Sequence, residues 1–89
     1  MKIIMNFEIT KGYQAWKEAF LKNETMRQRH NVNVLAYGHE ESNENKVYTV
    51  MEMPSVETMQ EILKEPEMIK LRNNAGVVIE TQKMTKLVE

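Results

Sequence analysis

The apolar residues of this 89-residue chain change their periodicity four times, and the order of these changes restricts the possible folds more than any other feature. Alternation of apolar and polar residues indicates strands with a buried face, whereas a spacing of three or four residues indicates amphipathic helices. These patterns predict four strands, at residues 2–10, 32–41, 47–53 and 77–88. They also predict two helical segments, at residues 12–29 and at about 56–74.

The two helical segments are expected to differ in continuity. The first is predicted to run unbroken from Gly12 to about Arg29. The second contains Pro66, which fits only the first turn of a helix, so we expect one helix to end there and a short one to begin. Ser55 is suited to cap the first of these two helices, and Gly76 can take the left-handed conformation that commonly follows a helix.

The predicted order is strand, helix, strand, strand, broken helix, strand. With right-handed crossovers this order gives an α+β fold, the ferredoxin-like βαββαβ plait, in which a four-stranded antiparallel sheet carries both helical segments on one face. No linker, repeat or low-complexity segment interrupts the chain, so we expect a single domain at residues 1–89.

The second face of the predicted sheet is also apolar. Three strands carry apolar or aromatic residues on both sides; those predicted for the second face are Leu35, Tyr37, Tyr48, Val50 and Val78. We expect Tyr37 and Tyr48 to face one another across the hairpin. A solvated sheet face is normally polar, so we predict that another copy covers this one and that the protein is a homodimer joined through its sheet faces.

Three stretches carry a resemblance to a known group of proteins: "TKG" before the first helix, "VYTVMEMPSVETMQEILKEPEM" through the third strand and the broken helix, and "NNAGV" before the last strand. With these features the whole chain resembles the dimeric α/β-barrel superfamily, which includes antibiotic-biosynthesis monooxygenase-type enzymes and stress-responsive barrel proteins. The resemblance implies that two sheets face each other to form a barrel. It also implies a pocket between each sheet and its own helices.

The resemblance does not extend to haem degradation. Haem-degrading members of the superfamily use an asparagine, a tryptophan and a histidine, and the corresponding positions here are Met5, Ile62 and Arg72. We therefore expect no haem chemistry and no cofactor.

Charge and composition exclude several classes of partner. Twelve basic residues are interspersed with thirteen acidic ones, which leaves no basic patch for a nucleic acid or an anionic membrane. No apolar run approaches the roughly 20 residues of a transmembrane helix, and the N-terminus lacks the apolar core of a signal peptide. The chain has no cysteine, which fits a reducing compartment. We expect a cytoplasmic protein.

Four polar or aromatic side chains suggest a ligand pocket. If the first helix is continuous, Trp16, Asn23 and His30 follow one another at seven-residue spacing and Arg27 follows Phe20 at the same spacing, so all lie on one side. Trp16 would then form an aromatic floor, Asn23 and Arg27 would orient a ligand, and His30 would act as acid, base or ligand. Alternatively, the helix projects past the sheet and its last two turns are solvated.

Two further sets of residues have competing interpretations. His39, with His30 and Glu40 or Glu41, contains the ligand types of a metal site, but the spacing matches no metal motif, so we expect a surface histidine and no metal. Five methionines either line an adaptable apolar cavity or belong to the ordinary core: Met51, Met53, Met59, Met68 and Met84.

Two functions fit these features. The first is a homodimeric protein that binds a small apolar or aromatic molecule, or has only a structural role. The second is a cofactor-independent monooxygenase or isomerase acting on a small aromatic substrate. The second function needs an acid or base in the pocket, and His30 is the sequence's candidate. A cavity bordered by both His30 and Trp16 would favour the enzyme, and a solvated His30 the binding protein.

Overall fold

The computed structural model describes all residues, 1–89. The elements in chain order are β1 (Lys2–Ile9), α1 (Tyr13–Lys22), α2 (Glu24–Arg29), β2 (Asn33–Glu40), β3 (Asn43–Glu52), α3 (Val56–Lys64), α4 (Pro66–Asn74) and β4 (Val77–Leu87). The strands form one antiparallel sheet in the order β2-β3-β1-β4. The predicted ferredoxin-like βαββαβ fold is confirmed.

The hydrophobic core lies between the helices and one face of the sheet. The alternating residues of β1, which are Ile3, Met5, Phe7 and Ile9, are buried as predicted. They pack with residues of the helices, among them Trp16, Met26, Met59 and Ile62. We call this side of the sheet the inner face and the opposite side the outer face.

The predicted break in the second helical segment is confirmed. The hydroxyl of Ser55 accepts a hydrogen bond from the backbone N–H of Thr58 (3.2 Å), which caps α3, and Pro66 is the first residue of α4. Gly76 has a φ of 84°. A Cβ atom there would lie 2.9 Å from the side chain of Lys11, so both the backbone conformation and the close approach require glycine.

The prediction of one continuous first helix is wrong, because the helix breaks at Asn23. In an unbroken helix the carbonyl of Phe20 would accept the backbone N–H four residues later, that of Glu24. Here it accepts the backbone N–H of Asn23 (3.2 Å) and Nη2 of Arg27 (2.6 Å). The arginine side chain thus satisfies a carbonyl at the end of α1, and α2 follows as a separate helix.

The prediction that Tyr37 and Tyr48 face one another is also wrong, because β2 contains a bulge. Val34 pairs with Met51 and Ala36 with Val50, so Leu35 is an extra residue in β2. The bulge turns Tyr37 to the inner face, where its ring centroid lies 5.2 Å from that of Phe20. Tyr48 stays on the outer face, and its hydroxyl donates to Oε2 of Glu40 (2.6 Å).

The third strand begins earlier than its apolar pattern predicts. Its first residue is Asn43 and not Val47, and only Glu41 and Ser42 form the turn of the hairpin. Backbone pairing continues through polar residues because the tip of the hairpin is solvated on both faces. None of the helices has the length and apolar character needed to cross a membrane.

Candidate ligand-binding site

A cavity lies between the inner face of the sheet and the helices. The space that the centre of a water molecule can occupy within it is about 70 Å³. Thirteen of its seventeen lining residues are hydrophobic, so the cavity has the apolar wall with few polar groups that is typical of small-molecule sites.

The sheet contributes one wall of the cavity. Met5 and Phe7 reach it from β1, and Thr49 and Met51 from β3. The register pairs Met5 with Thr49, so these residues are neighbours on the same face. Thr49 is the polar member of this wall and is only 1% exposed.

The first two helices contribute an aromatic wall. Trp16, Ala19 and Phe20 line the cavity from α1. The rings of Trp16 and Phe20 are stacked with a centroid distance of 4.8 Å, and the ring of Phe7 lies 5.9 Å from that of Trp16. Trp16 is 4% exposed, which confirms that the predicted face of this helix is buried.

The last two helices close the cavity on a third side. Met59, Ile62 and Leu63 line it from α3, and Met68, Leu71 and Arg72 from α4. Both groups follow the spacing of a helix face that packs on a sheet. Arg72 occupies an otherwise apolar stripe.

Three of the four predicted site residues line the cavity, namely Trp16, Asn23 and Arg27. The fourth, His30, follows the last residue of α2 and is not in the wall. Nε2 of His30 lies 2.9 Å from Oε1 of Glu65, the residue that joins α3 to α4. The side chain of His30 is 24% exposed, so it joins α2 to the α3–α4 junction near the surface.

Two of the three guanidinium nitrogens of Arg27 are hydrogen-bonded within the protein. Its Nη2 donates to the carbonyl of Phe20 and to Oε2 of Glu24 (2.9 Å), and its Nε donates to the same carboxylate (3.1 Å). Its Cζ also lies 4.1 Å from the ring centroid of Phe20. Arg27 is 4% exposed, and these contacts compensate its buried charge.

Asn23 makes only weak contacts. Its Nδ2 lies 3.8 Å from the sulfur of Met26 and 3.8 Å from that of Met68. A thioether sulfur is a weak acceptor, so the amide donors of Asn23 remain available to a stronger one.

Arg72 differs from Arg27 in lacking partners. Its Nη2 is buried without a hydrogen bond, and neither of the two ion pairs of the chain involves it. Its Cζ lies 5.3 Å from the ring centroid of Phe7. Burial lowers the pKa of Arg72 to about 10, which still leaves the side chain cationic at neutral pH.

The sequence interpretation missed Arg72 and Thr49 as polar groups of the site. Each carried a detectable signal. Thr49 interrupts the buried alternation of Val47 and Met51, and Arg72 interrupts the helical stripe of α4. A polar residue at a buried position of a regular pattern is a candidate site residue, because it needs a partner there.

The two histidines are in separate places. Nδ1 of His39 lies 2.7 Å from the carbonyl oxygen of Glu40, and its ring packs edge-on against Tyr13 at 4.6 Å. His30 pairs with Glu65. No group of three or more histidine or acidic side chains is arranged to hold a metal ion.

The five methionines divide between the two interpretations. Met51, Met59 and Met68 line the cavity. Met53 is buried in the core outside it, and Met84 on β4 is 41% exposed. The three positions that correspond to the haem-degrading residues, which are Met5, Ile62 and Arg72, all line the cavity.

No profile of a protein family matches the sequence, and no curated protein matches it. Solved structures do match. A protein of Bordetella bronchiseptica provisionally assigned as an antibiotic biosynthesis monooxygenase superposes with a TM-score of 0.74 at 10% identity, over 99% of this chain and 96% of that one. A Nitrosomonas europaea protein with the same assignment gives 0.68 at 12% identity, over 100% and 98%. The chain has the antibiotic biosynthesis monooxygenase fold.

Another protein with this fold is SnoaB of Streptomyces nogalater, which is described as a cofactor-independent oxygenase. One of its structures superposes with a TM-score of 0.65 at 10% identity, over 99% of this chain and 90% of SnoaB. At 10–12% identity these likenesses concern the fold.

Proposed function

We propose that this protein binds a small apolar or aromatic molecule in the cavity between its sheet and its helices. The observation that carries the proposal is a preformed apolar cavity whose wall includes a few polar groups. Trp16, Phe20 and Phe7 supply aromatic surface, and Asn23, Thr49 and Arg72 supply hydrogen-bond donors. Apolar surface gives affinity in such sites, and a small number of polar groups fixes the orientation of the ligand.

The size of the cavity limits the ligand. An engineered apolar cavity of about 150 Å³ binds benzene, so a cavity of about 70 Å³ must widen to take one aromatic ring. Methionine side chains have three flexible bonds and repack at low cost. Rearrangement of Met51, Met59 or Met68 would therefore admit a somewhat larger molecule.

We further propose that two copies associate through the outer faces of their sheets. A row across this face consists of Ala36, Val50 and Ile4, which are successive cross-strand partners. The bulge in β2 places small residues, Ala36 and Gly38, on this face, so a second sheet can approach closely. The neighbouring Asn6 has a buried Oδ1 without a partner, which a donor in an interface would satisfy.

A second function, a cofactor-independent monooxygenase or isomerase acting on a small aromatic substrate, is favoured by the likeness to SnoaB. Such chemistry needs a group that accepts or donates a proton near neutral pH. The titratable side chains of the cavity wall are Arg27 and Arg72, and guanidinium groups stay protonated at that pH. The composition of the wall therefore supports binding ahead of catalysis.

A pair of substitutions on α1 tests the binding proposal. Ala19 lines the cavity, whereas Ala15 on the same helix is exposed. Ala19→Leu should fill part of the cavity and weaken binding of toluene at least tenfold, and Ala15→Leu should leave toluene binding unchanged. Calorimetric titration measures both. Equal affinities for the two variants would contradict the proposal.

A further inference from the structure

We propose that Arg72 and Thr49 form an acceptor-binding end of the cavity and that the natural ligand is a small carboxylate with an apolar or aromatic body. The inference rests on the proposed function and specifies the ligand class for the same site. It is drawn from two buried donors that the folded chain leaves without partners.

The first observation is that both groups lack hydrogen bonds. Oγ1 of Thr49 and Nη2 of Arg72 are buried and unpartnered, and both residues line the cavity. Buried polar groups are almost always hydrogen-bonded, because an unmet donor loses the bonds that it made to water. Two such groups in one cavity wall indicate that a ligand accepts the hydrogen bonds that they lack within the protein.

The second observation is the position of both groups relative to Phe7, which lines the same cavity. Cζ of Arg72 lies 5.3 Å from the ring centroid of Phe7. Thr49 pairs with Met5, two residues before Phe7 on the same face, and such diagonal neighbours lie about 7 to 8 Å apart. We therefore place the ligand head group beside Phe7, between the two donors.

The third observation is the difference in charge between the two cavity arginines. The carboxylate of Glu24 neutralises Arg27, whereas no acidic side chain pairs with Arg72. The side chain of Arg72 is partly buried and its Nη2 is shielded from solvent, so its charge is incompletely hydrated and a ligand anion would be the missing counterpart. A carboxylate also matches the planar guanidinium, which can donate two parallel hydrogen bonds to it.

The apolar remainder of the cavity wall indicates the chemistry of the ligand body that is attached to the carboxylate. The Trp16 and Phe20 rings and the methionines offer dispersion contacts and no further charge. A molecule with one anionic end and a compact apolar body satisfies both parts of the site. A dianion or a sugar would leave polar atoms against apolar wall.

Three probes of similar shape test the inference: toluene, benzamide and benzoate. Trp16 is the single tryptophan of the chain and lines the cavity, so its fluorescence reports binding directly. In the wild-type protein we expect benzoate to bind at least tenfold more tightly than benzamide. Arg72→Met should remove this preference, so that benzoate binds no more tightly than benzamide. Thr49→Val should weaken benzoate about threefold to tenfold.

Circular dichroism of each variant checks that it is folded. The variant Arg72→Lys keeps a positive charge and should therefore retain part of the preference for benzoate over benzamide. Equal wild-type affinities for benzoate and benzamide, or a benzoate preference that survives in Arg72→Met, would overturn the inference while leaving the cavity as a neutral binding site. Failure of all three probes to bind would overturn the proposed function as well.

Discussion

The guanidinium of Arg72 lies over the ring of Phe7 without a counter-ion, at the wall of an apolar cavity. The second cavity arginine, Arg27, donates from Nε and Nη2 to Glu24 and from Nη2 to a backbone carbonyl. Arg27 therefore stabilises the fold. Arg72, in contrast, carries a charge that no group of the folded chain compensates. Such local costs are common where a ligand binds.

This difference predicts opposite effects of the same substitution. Arg27→Met removes the donor to the Phe20 carbonyl at the break between α1 and α2, and should lower the free energy of unfolding by about 1 to 3 kcal/mol. Arg72→Met removes an uncompensated charge, so stability should stay equal or rise by up to about 2 kcal/mol. Urea denaturation measures both. A loss above about 1 kcal/mol in Arg72→Met would show that the folded protein already satisfies Arg72.

Trp16 should be essential for cooperative folding, because it packs against Phe7, Phe20 and Tyr37. Truncation of a buried tryptophan typically costs about 3 to 5 kcal/mol, a large share of the stability of a small domain. Trp16→Ala should therefore lose its sharp thermal transition, whereas Gln14→Ala, on the exposed side of the same helix, should retain it. Scanning calorimetry makes the comparison, and an unchanged transition in Trp16→Ala would contradict this packing.

His30 should have little influence on ligand binding, since it pairs with Glu65 away from the cavity wall. The hydrogen-bonded pair is partly solvated, and partly solvated polar pairs of this kind contribute about 0 to 1 kcal/mol. His30→Ala should therefore melt within a few degrees of wild type and show the same benzoate-induced thermal shift. Loss of that shift would make His30 part of the site.

The proposed dimer should dissociate when charge is placed on the outer face. Val50→Asp puts a carboxylate in the centre of the Ala36–Val50–Ile4 row, whereas Gln60→Asp changes an exposed residue of α3. Light scattering coupled to size-exclusion chromatography should give a dimer mass for wild type and Gln60→Asp at micromolar concentration. Val50→Asp should be monomeric or unfolded, because a thin protomer depends on its partner. A monomeric wild type would refute the dimer.

The periodicity of the sequence was sufficient to predict the order of elements and the inner face of β1. Ser55, Pro66 and Gly76 determine the backbone only in their own neighbourhood, so the ends of α3 and α4 could also be predicted from the sequence. The break at Asn23 was not, because it depends on the side chain of Arg27 reaching back to the Phe20 carbonyl. That contact joins a side chain to a backbone carbonyl seven residues earlier, which the apolar periodicity does not reveal.

The bulge at Leu35 was equally hidden, because the four residues from Val34 to Tyr37 are all apolar or aromatic, so the pattern does not show which of them share a face. One extra residue in a strand exchanges the faces of all residues beyond it. Tyr37 therefore joined the aromatic cluster of Trp16 and Phe20, and the predicted tyrosine pair was lost. The spacing of residues along the first helical segment predicted Trp16, Asn23 and Arg27 as site residues. It could not predict Thr49 or Arg72, because these lie on other elements that tertiary packing brings to the same cavity.

A crystal structure of the protein soaked with benzoate would show directly whether Arg72 and Thr49 hold a carboxylate. We expect the benzoate ring between the Phe7 and Met59 sides of the cavity, with its carboxylate within hydrogen-bond distance of Nη2 of Arg72 and Oγ1 of Thr49. A cavity that holds no benzoate at saturating concentration, or holds it with the carboxylate away from Arg72, would refute the proposed carboxylate site.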